Sequence, residues 1–219
     1  MINTVIFDLD GLLVNSEYTW YLVTKGIMAE YGYELTLEEY VQEFSGKTVV
    51  DNSGSIVEKC QAQVKPEEIA QRMVDGEAGY VEQGIELMTG ARELLQYLKE
   101  NDYKVVLGTS STRERAMKIL KHNQIDIYFD DIVVGYEVKR SKPFPDVFLK
   151  AAAKVNAEPE ECLVLEDSEA GIQAAYSAGI KVICVPDLKK PTEEYAEKTE
   201  KLVDSLLDII DFLEEVNRE

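Results

Sequence analysis

Five short apolar segments constrain the fold of this chain more than any other feature. Each is rich in β-branched residues and ends at polar, glycine or proline residues, a pattern typical of strands buried on both faces of a parallel sheet. The segments are residues 4–7, 104–107, 131–134, 162–165 and 181–185. Helical patterns at 112–123, 145–156 and 170–178 separate the last four. We therefore predict an α/β fold whose core is a doubly wound parallel sheet.

The long interval between the first two strands predicts a second domain. Residues 16–31, 37–44, 49–62 and 66–81 carry apolar side chains at helical spacing, without a strand pattern between them. One more helix, 92–100, leads into the second strand, and an amphipathic stretch at 203–216 would pack on the core. We expect residues 1–15 and 83–219 to form the α/β core. Residues 16–82 would form an inserted all-helical cap domain, close to the smallest size that supports its own core.

The composition disfavours several classes of partner. The chain has 23 basic and 42 acidic side chains and a formal net charge of −19, whereas nucleic-acid binding depends on neutralising phosphates. An anionic membrane surface is disfavoured for the same reason. No stretch reaches the roughly 18 apolar residues of a membrane helix, and Asp8 and Asp10 interrupt the apolar run where a signal peptide would need it. We expect a soluble, cytoplasmic protein.

The cysteines and the histidine do not suggest a site of their own. Cys60, Cys162 and Cys184 lack metal-ligand spacing, which predicts three reduced thiols. His122 is the only histidine and lies in a polar, helix-like stretch. A Ser-His-Asp triad or a multi-histidine metal site is therefore disfavoured, unless His122 itself serves.

Polar side chains follow four of the predicted strands. Ligands bind at the carboxyl ends of the strands in an open parallel sheet, so these residues are the candidates for a site. They are Asp8 and Asp10 after the first strand, Thr109 and Ser110 after the second, Lys142 shortly after the third, and Glu166 and Asp167 after the fourth. Each one alone is equally typical of a helix cap, a turn or a solvated loop. Their occurrence at the same end of successive strands is what favours a common site.

The chemistry of this set points to phosphoryl transfer. Four carboxylates brought together repel one another, and the sequence places no cluster of basic residues beside them, so a hard divalent cation such as Mg²⁺ is expected. The Thr109 and Ser110 hydroxyls can donate to phosphate oxygens, and Lys142 supplies a compact positive charge. A carboxylate nucleophile would form an aspartyl phosphate. Asp8 and Asp10 could then divide the work, one attacking and the other transferring the proton.

The same residues resemble the four motifs of the haloacid dehalogenase superfamily. The motifs are DLDGLLVNS at residues 8–16, the strand end at Thr109, Ser141-Lys142-Pro143, and Glu166-Asp167-Ser168-x-x-Gly171. They are similar in particular to those of the β-phosphoglucomutase-like sugar-phosphate phosphatases with a helical cap. The resemblance extends over the whole chain, and it is much more specific for the superfamily than for a substrate.

The resemblance implies a role for each of these residues. Asp8 would be the phosphorylated nucleophile and Asp10 the general acid and base. Asp8, the Asp10 carbonyl and Asp167 would hold Mg²⁺, with Glu166 close by or acting through water. Thr109 and Ser110 would bind the transferring phosphoryl group, and Lys142 would stabilise Asp8 and the phosphate.

Within the superfamily, the sequence favours a phosphatase over a mutase. The β-phosphoglucomutases carry approximately Lys-Gly-Val-Ser-Arg in a cap loop, where this chain has Ser-Gly-Lys-Thr-Val at 45–49. Val49 thus replaces the arginine that holds the distal phosphate. The mutases also have a histidine shortly after the first motif, where this chain has Tyr18-Thr19-Trp20. Lys47 could still bind a substrate anion, and Trp20 could line the substrate pocket; a solvated lysine and a packing tryptophan are the alternatives.

Three functions therefore stand in order of preference. The first is a Mg²⁺-dependent phosphoric monoester hydrolase acting on small phosphorylated metabolites, such as sugar or polyol monophosphates. The second is a β-phosphoglucomutase that interconverts β-glucose 1-phosphate and glucose 6-phosphate. The third is a non-catalytic phospho-receiver module, which would need neither the helical insertion nor Asp10. A monomer is expected in each case.

Overall fold

A six-stranded, all-parallel sheet forms the centre of the fold. The computed structural model describes residues 1–218. The strands within this range are β1 (Thr4–Phe7), β2 (Lys104–Gly108), β3 (Asp131–Val133), β4 (Cys162–Glu166), β5 (Lys181–Cys184) and β6 (Lys201–Leu202). They lie in the order β3-β2-β1-β4-β5-β6, and each pairs in parallel with its neighbours. The predicted doubly wound α/β fold is confirmed.

The order of the strands determines where a site can form. The chain builds the sheet outward from β1 to β3 and then returns to place β4 on the other side of β1. In register, Phe7 lies opposite Leu107 on one side and Leu165 on the other. The residues that follow β1, β2 and β4 therefore emerge side by side, at the point where the winding direction reverses. This is where an open α/β sheet binds its ligands.

The helices follow the sequence pattern closely. Ten of them lie within residues 1–218: α1 (Ser16–Glu30), α2 (Leu37–Glu43), α3 (Val49–Cys60), α4 (Pro66–Gln83), α5 (Ala91–Glu100), α6 (Arg113–His122), α7 (Asp146–Lys154), α8 (Glu169–Ser177), α9 (Glu193–Ala196) and α10 (Asp208–Val216). Short 3₁₀ turns occupy Asp126–Tyr128, Gly135–Glu137 and Pro159–Glu161. Buried Ile6, Val106 and Val164 from the sheet pack with Phe148 of α7 and Ile172 of α8 in one apolar cluster.

Strand β6 and helix α9 were not predicted, and the amphipathic stretch 203–216 is helical only in part. Strand β6 is two residues long, and both are exposed, so it carries no buried apolar run. Helix α9 has only four residues, all at least partly exposed. The amphipathic stretch 203–216 becomes helical only at Asp208, because the preceding backbone turns at Ser205, where the Ser205 N–H and hydroxyl both donate to the Asp208 carboxylate.

The chain divides into two compact units. One consists of Met1–Asn15 together with the chain from Glu86 onward, and the other is Ser16–Ile85. The predicted boundary at 82/83 would cut the last turn of α4, which runs to Gln83. Within the first unit the two linking segments pair with each other: the Asn15 N–H donates to the Glu86 carbonyl (2.9 Å) and the Met88 N–H to the Leu13 carbonyl (2.9 Å).

The Ser16–Ile85 unit is helical and has its own apolar core. Tyr40 and Phe44 stack with ring centroids 6.0 Å apart, and Tyr21 meets Tyr40 edge-on at 5.6 Å. Gly76 of α4 lies against Val23 of α1. None of the helices in the described part of the chain is long and apolar enough to cross a membrane.

Candidate active site

Asp8, Lys142 and Glu166 form a buried charge cluster at the carboxyl ends of β1 and β4. The Lys142 Nζ donates to Asp8 Oδ1 at 2.5 Å and to Glu166 Oε1 at 2.6 Å. The side chains of Lys142 and Asp8 are almost fully buried, and that of Glu166 is completely so. The Asp8 N–H donates to the Leu165 carbonyl (3.1 Å), which continues the β1–β4 ladder and fixes the point where Asp8 leaves the strand. One ammonium group therefore bridges two carboxylates from neighbouring strands.

The second oxygen of Glu166 is held by the start of α8. Glu166 Oε2 accepts from the N–H groups of Asp167 and Ser168 (both 3.1 Å) and from the Ser168 hydroxyl (2.9 Å). The Ser168 hydroxyl also caps α8, accepting from the Gly171 N–H at 3.1 Å. A Cβ at Gly171 would overlap the Glu166 carboxylate. The glycine of the Glu-Asp-Ser-x-x-Gly motif thus leaves room for the buried Glu166 carboxylate. One oxygen of this carboxylate accepts from Lys142, and the other accepts from the start of α8.

Burial dominates the electrostatics of this cluster. It raises the pKa of Asp8 to about 7; Lys142 opposes this increase, and Glu166 and Asp10 add to it. Burial likewise raises the pKa of Asp167 well above its ordinary value, with further contributions from Glu166 and Asp8. Burial alone would lower the pKa of Lys142, but the charges of Asp8 and Glu166 outweigh it and raise the pKa. Lys142 is therefore an ammonium group, and a single positive charge does not compensate the surrounding carboxylates.

The donor set fits a hard divalent cation. Asp8, Glu166 and Asp167 each offer a carboxylate oxygen, and these oxygens lie within 4.8 Å of one another. Oxygen ligands of this kind suit Mg²⁺, whose charge would relieve the repulsion that raises the pKa values of Asp8 and Asp167. The Asp10 carboxylate forms an ion pair with an arginine. Metal binding by Asp10, for which the resemblance implies the backbone carbonyl, stays a prediction.

Arg115 was not anticipated from the sequence. Its Nη2 donates to Asp10 Oδ1 at 2.7 Å and its Nη1 to Asp10 Oδ2 at 2.9 Å. The sequence analysis named Lys142 as the positive charge of the predicted site and did not include Arg115. Arg115 lies six residues beyond Thr109, inside α6, where its position on a polar helix gives no indication of a partner 105 residues away.

Thr109 and Ser110 lie at the end of β2 as predicted for that strand. The Thr109 N–H donates to the Val133 carbonyl at 3.0 Å, and the side chain is buried. Thr109 Oγ1 accepts from the Ser111 N–H (3.0 Å), which leaves the hydroxyl hydrogen to be donated elsewhere. Ser110 is exposed. Their role as phosphate ligands stays a prediction.

Trp20 and Lys47 lie in the helical unit. Trp20 is half-buried on α1, and Lys47 is exposed in the loop between α2 and α3. Two hydrogen bonds hold this loop in place. The Ser45 hydroxyl donates to the Glu17 carboxylate at 2.8 Å, and the Lys47 N–H donates to the Phe44 carbonyl at 3.2 Å. Substrate binding by Trp20 and Lys47 stays a prediction.

Comparison with known proteins decides the family. Residues 5–185 match the family model described as haloacid dehalogenase-like hydrolase. This chain belongs to that family. The resemblance predicted from the four motifs is confirmed, and the charge cluster of Asp8, Lys142, Glu166 and Asp167 occupies the positions of three of those motifs.

Two curated relatives are phosphatases by name. The bifunctional riboflavin kinase/FMN phosphatase of Arabidopsis thaliana is 34% identical over 206 residues, which cover 94% of this chain but only 54% of the plant protein. The chain thus spans about half the length of that relative. The phosphorylated carbohydrates phosphatase of Thermotoga maritima is 30% identical, and the match covers 82% of both chains. The predicted class, a phosphoric monoester hydrolase, agrees with these names.

A solved structure shares the architecture. The crystal structure of β-phosphoglucomutase from Clostridium difficile is 25% identical, with a TM-score of 0.73 over 98% of this chain and 96% of the mutase. The haloacid dehalogenase-like hydrolases similar to this chain therefore include both phosphatases and a mutase.

Proposed function

We propose that this chain hydrolyses phosphate monoesters of small metabolites, with Asp8 as the nucleophile and Mg²⁺ as the cofactor. The observation that carries the proposal is the buried Asp8 carboxylate, with one oxygen bound by Lys142 and with Asp167 beside it. A buried lysine keeps the nucleophile in place and supplies positive charge where a phosphoryl group would be transferred. Family membership and the names of the curated relatives support the same reaction.

In the first step the Asp8 carboxylate attacks the phosphorus. The bond between phosphorus and the ester oxygen breaks, and Asp10 gives a proton to the departing alcohol oxygen. Lys142 and the hydroxyl of Thr109 stabilise the charge on the transferring phosphoryl group. The products of this step are the free alcohol and an aspartyl phosphate on Asp8.

In the second step water releases the phosphate. Asp10 now lacks its proton and takes one from the attacking water, the bond between Asp8 and phosphorus breaks, and inorganic phosphate leaves. Asp8 returns to a carboxylate held by Lys142. The proton that Asp10 gave in the first step is thus regained in the second, so the enzyme ends the cycle unchanged.

Mg²⁺ would be held by Asp8, Asp167 and the Asp10 carbonyl. When bound, it would neutralise the phosphate oxygens and allow a dianionic substrate to approach a carboxylate nucleophile. Glu166 would lie close to the metal or act on it through water, and through its hydrogen bond with Lys142 it would also hold that lysine in place.

We infer that the substrate is a sugar or polyol monophosphate. The relative from Thermotoga maritima, named for phosphorylated carbohydrates, supports this class. Exposed Lys47, on a loop held by Glu17, is proposed to bind a substrate anion, and Trp20 to contact the substrate. A cytoplasmic location and a monomeric state stay predictions.

A mutase is the second candidate, because the structure of a β-phosphoglucomutase matches nearly the whole chain. Val49, the first residue of α3, stands where the mutases carry the arginine for the distal phosphate. A valine cannot bind that phosphate, which is why we prefer the phosphatase.

Phosphate release distinguishes these functions. Sugar, polyol and nucleoside monophosphates would be assayed with Mg²⁺ and with EDTA, using wild type, Asp8→Asn and the matched control Asp75→Asn, which changes an exposed carboxylate on α4. We expect release from a sugar or polyol phosphate that disappears with EDTA and in Asp8→Asn but persists in Asp75→Asn. Interconversion of β-glucose 1-phosphate and glucose 6-phosphate without release would establish the mutase. Phosphorylation of Asp8 without turnover would indicate the receiver module.

A further inference from the structure

Arg115 binds Asp10 through both of its terminal nitrogens. The two hydrogen bonds, 2.7 and 2.9 Å long, each reach a different oxygen of the carboxylate. This is the fork geometry in which a guanidinium fixes both the position and the plane of a carboxylate. Asp10 precedes Gly11, whose φ of +76° turns the chain sharply, and its side chain is partly exposed. Without Arg115, the Asp10 carboxylate would be free to rotate towards solvent.

Arg115 is itself held by the loop that follows β2. The Arg115 Nη1 donates to the Ser111 hydroxyl at 2.9 Å. The backbone N–H of Arg115 donates to the hydroxyl of Thr112, the N-cap of α6, at 3.3 Å. The guanidinium is therefore fixed relative to the strand end that carries Thr109. It links this strand end to Asp10, which follows β1.

We propose that Arg115 is a positioning residue that holds Asp10 for proton transfer to the leaving group, an inference that rests on the proposed function. The fork fixes the position and the plane of the Asp10 carboxyl group beside the strand end that carries Thr109. One Asp10 oxygen stays on the guanidinium while the other carries the proton to the alcohol oxygen, so Arg115 acts by orientation.

A comparison of two esters with different leaving groups tests this role of Arg115. An alkyl phosphate needs its departing oxygen protonated, whereas p-nitrophenolate departs without much help. The ratio kcat/KM reports the steps up to departure of the alcohol, so the second step does not obscure the comparison. We expect Arg115→Gln to lower kcat/KM about 10- to 100-fold for the best sugar or polyol phosphate of the panel, and no more than about threefold for p-nitrophenyl phosphate.

The experiment also includes a double variant and a control substitution at a neighbouring arginine. If Arg115 acts through Asp10, then Arg115→Gln adds little to the loss already caused by Asp10→Asn for the alkyl ester. Arg113→Gln removes a neighbouring arginine of α6 that pairs with Glu137, at 2.6 Å, rather than with Asp10. We expect Arg113→Gln to leave the ratio of the two kcat/KM values unchanged, even where it lowers Tm.

The outcomes separate this inference from the proposed function. Equal losses for both esters would mean that Arg115 binds the phosphate, and a gain in activity would mean that it restrains Asp10; either result overturns the inference while the phosphatase stands. Additive losses in the double variant would also overturn it. If the wild type hydrolyses p-nitrophenyl phosphate but no sugar or polyol phosphate, then no acid step has been shown and the inference is overturned. No turnover of either ester by wild type would overturn the proposed function itself.

Discussion

At the scale of single residues, the raised pKa of Asp8 makes the stability of the metal-free protein depend on pH. Because this pKa is about 7, the folded protein holds the Asp8 proton more tightly than the unfolded chain does. Its contribution to stability is therefore complete below the ordinary carboxylate pKa, and it is lost progressively as the pH rises from there through about 7. In EDTA we expect the free energy of unfolding to fall by up to about 1.4 kcal/mol per pH unit in this window.

The variant Asp8→Asn isolates this effect, since the amide does not titrate. Denaturant unfolding of both proteins between about pH 5 and about pH 8, a range that covers the upper part of this window and the plateau above it, should show a shallower decline for Asp8→Asn. Parallel curves would mean that Asp8 titrates in its ordinary range. Asp167, whose pKa is also raised by burial, would still give the variant some decline.

Lys142 should be indispensable to catalysis. It is the buried cation that contacts both Asp8 and Glu166, so its loss leaves two carboxylates to repel each other and the substrate. We expect Lys142→Met to lower kcat by about 100-fold or more, the magnitude typical of removing one preorganised charge-stabilising donor. Lys139→Met, an exposed lysine of the same loop, should retain nearly full activity in the same steady-state assay.

At the scale of an element, the N-terminus of α8 is shaped around Glu166. A methyl group at Gly171 would displace the Glu166 carboxylate, which in turn holds Lys142. Gly171→Ala should therefore lower both the free energy of unfolding, by roughly 1–3 kcal/mol, and kcat.

Gly26→Ala is the matched control for this prediction. Gly26 lies on the exposed side of α1 with nothing near its missing Cβ, so alanine should stabilise that helix by about 0.5–1 kcal/mol. Thermal unfolding measures both variants. Similar effects of the two substitutions would show that Glu166 moves aside without cost.

An element could be predicted where its own residues carry the pattern, and could not where it depends on contacts with distant residues. Strands β1 to β5 were located because each is apolar on both faces, whereas β6 consists of Lys201 and Leu202 at the edge of the sheet and has no such run. Asp8, Lys142 and Glu166 could be found because strand order alone brings strand ends together. Arg115 could not, because its pairing with Asp10 depends on the rotation of α6 about its axis and on a rotamer.

At the scale of the whole molecule, the net charge of −19 should make stability depend on ionic strength. Monovalent salt screens general repulsion, whereas Mg²⁺ at a few millimolar would act mainly through the carboxylate cluster. We expect NaCl to raise the Tm of wild type and of an Asp8→Asn/Asp167→Asn double variant alike. MgCl₂ matched for ionic strength should raise the wild-type Tm further and leave the double variant at its NaCl value. An equal response to MgCl₂ in both proteins would argue against a metal site at the cluster.

The paired segments on either side of the helical unit have an evolutionary consequence. Residues 13–15 and 86–88 run beside each other, joined by backbone hydrogen bonds and by the antiparallel bridge of Val14 with Leu87. The chain therefore leaves the α/β unit and returns to it at neighbouring positions. Whatever stands between Asn15 and Glu86 can lengthen, shrink or be exchanged between genes without shifting a strand. Recombination could thus replace the helical unit while leaving in place the strand ends that carry Asp8 and Glu166.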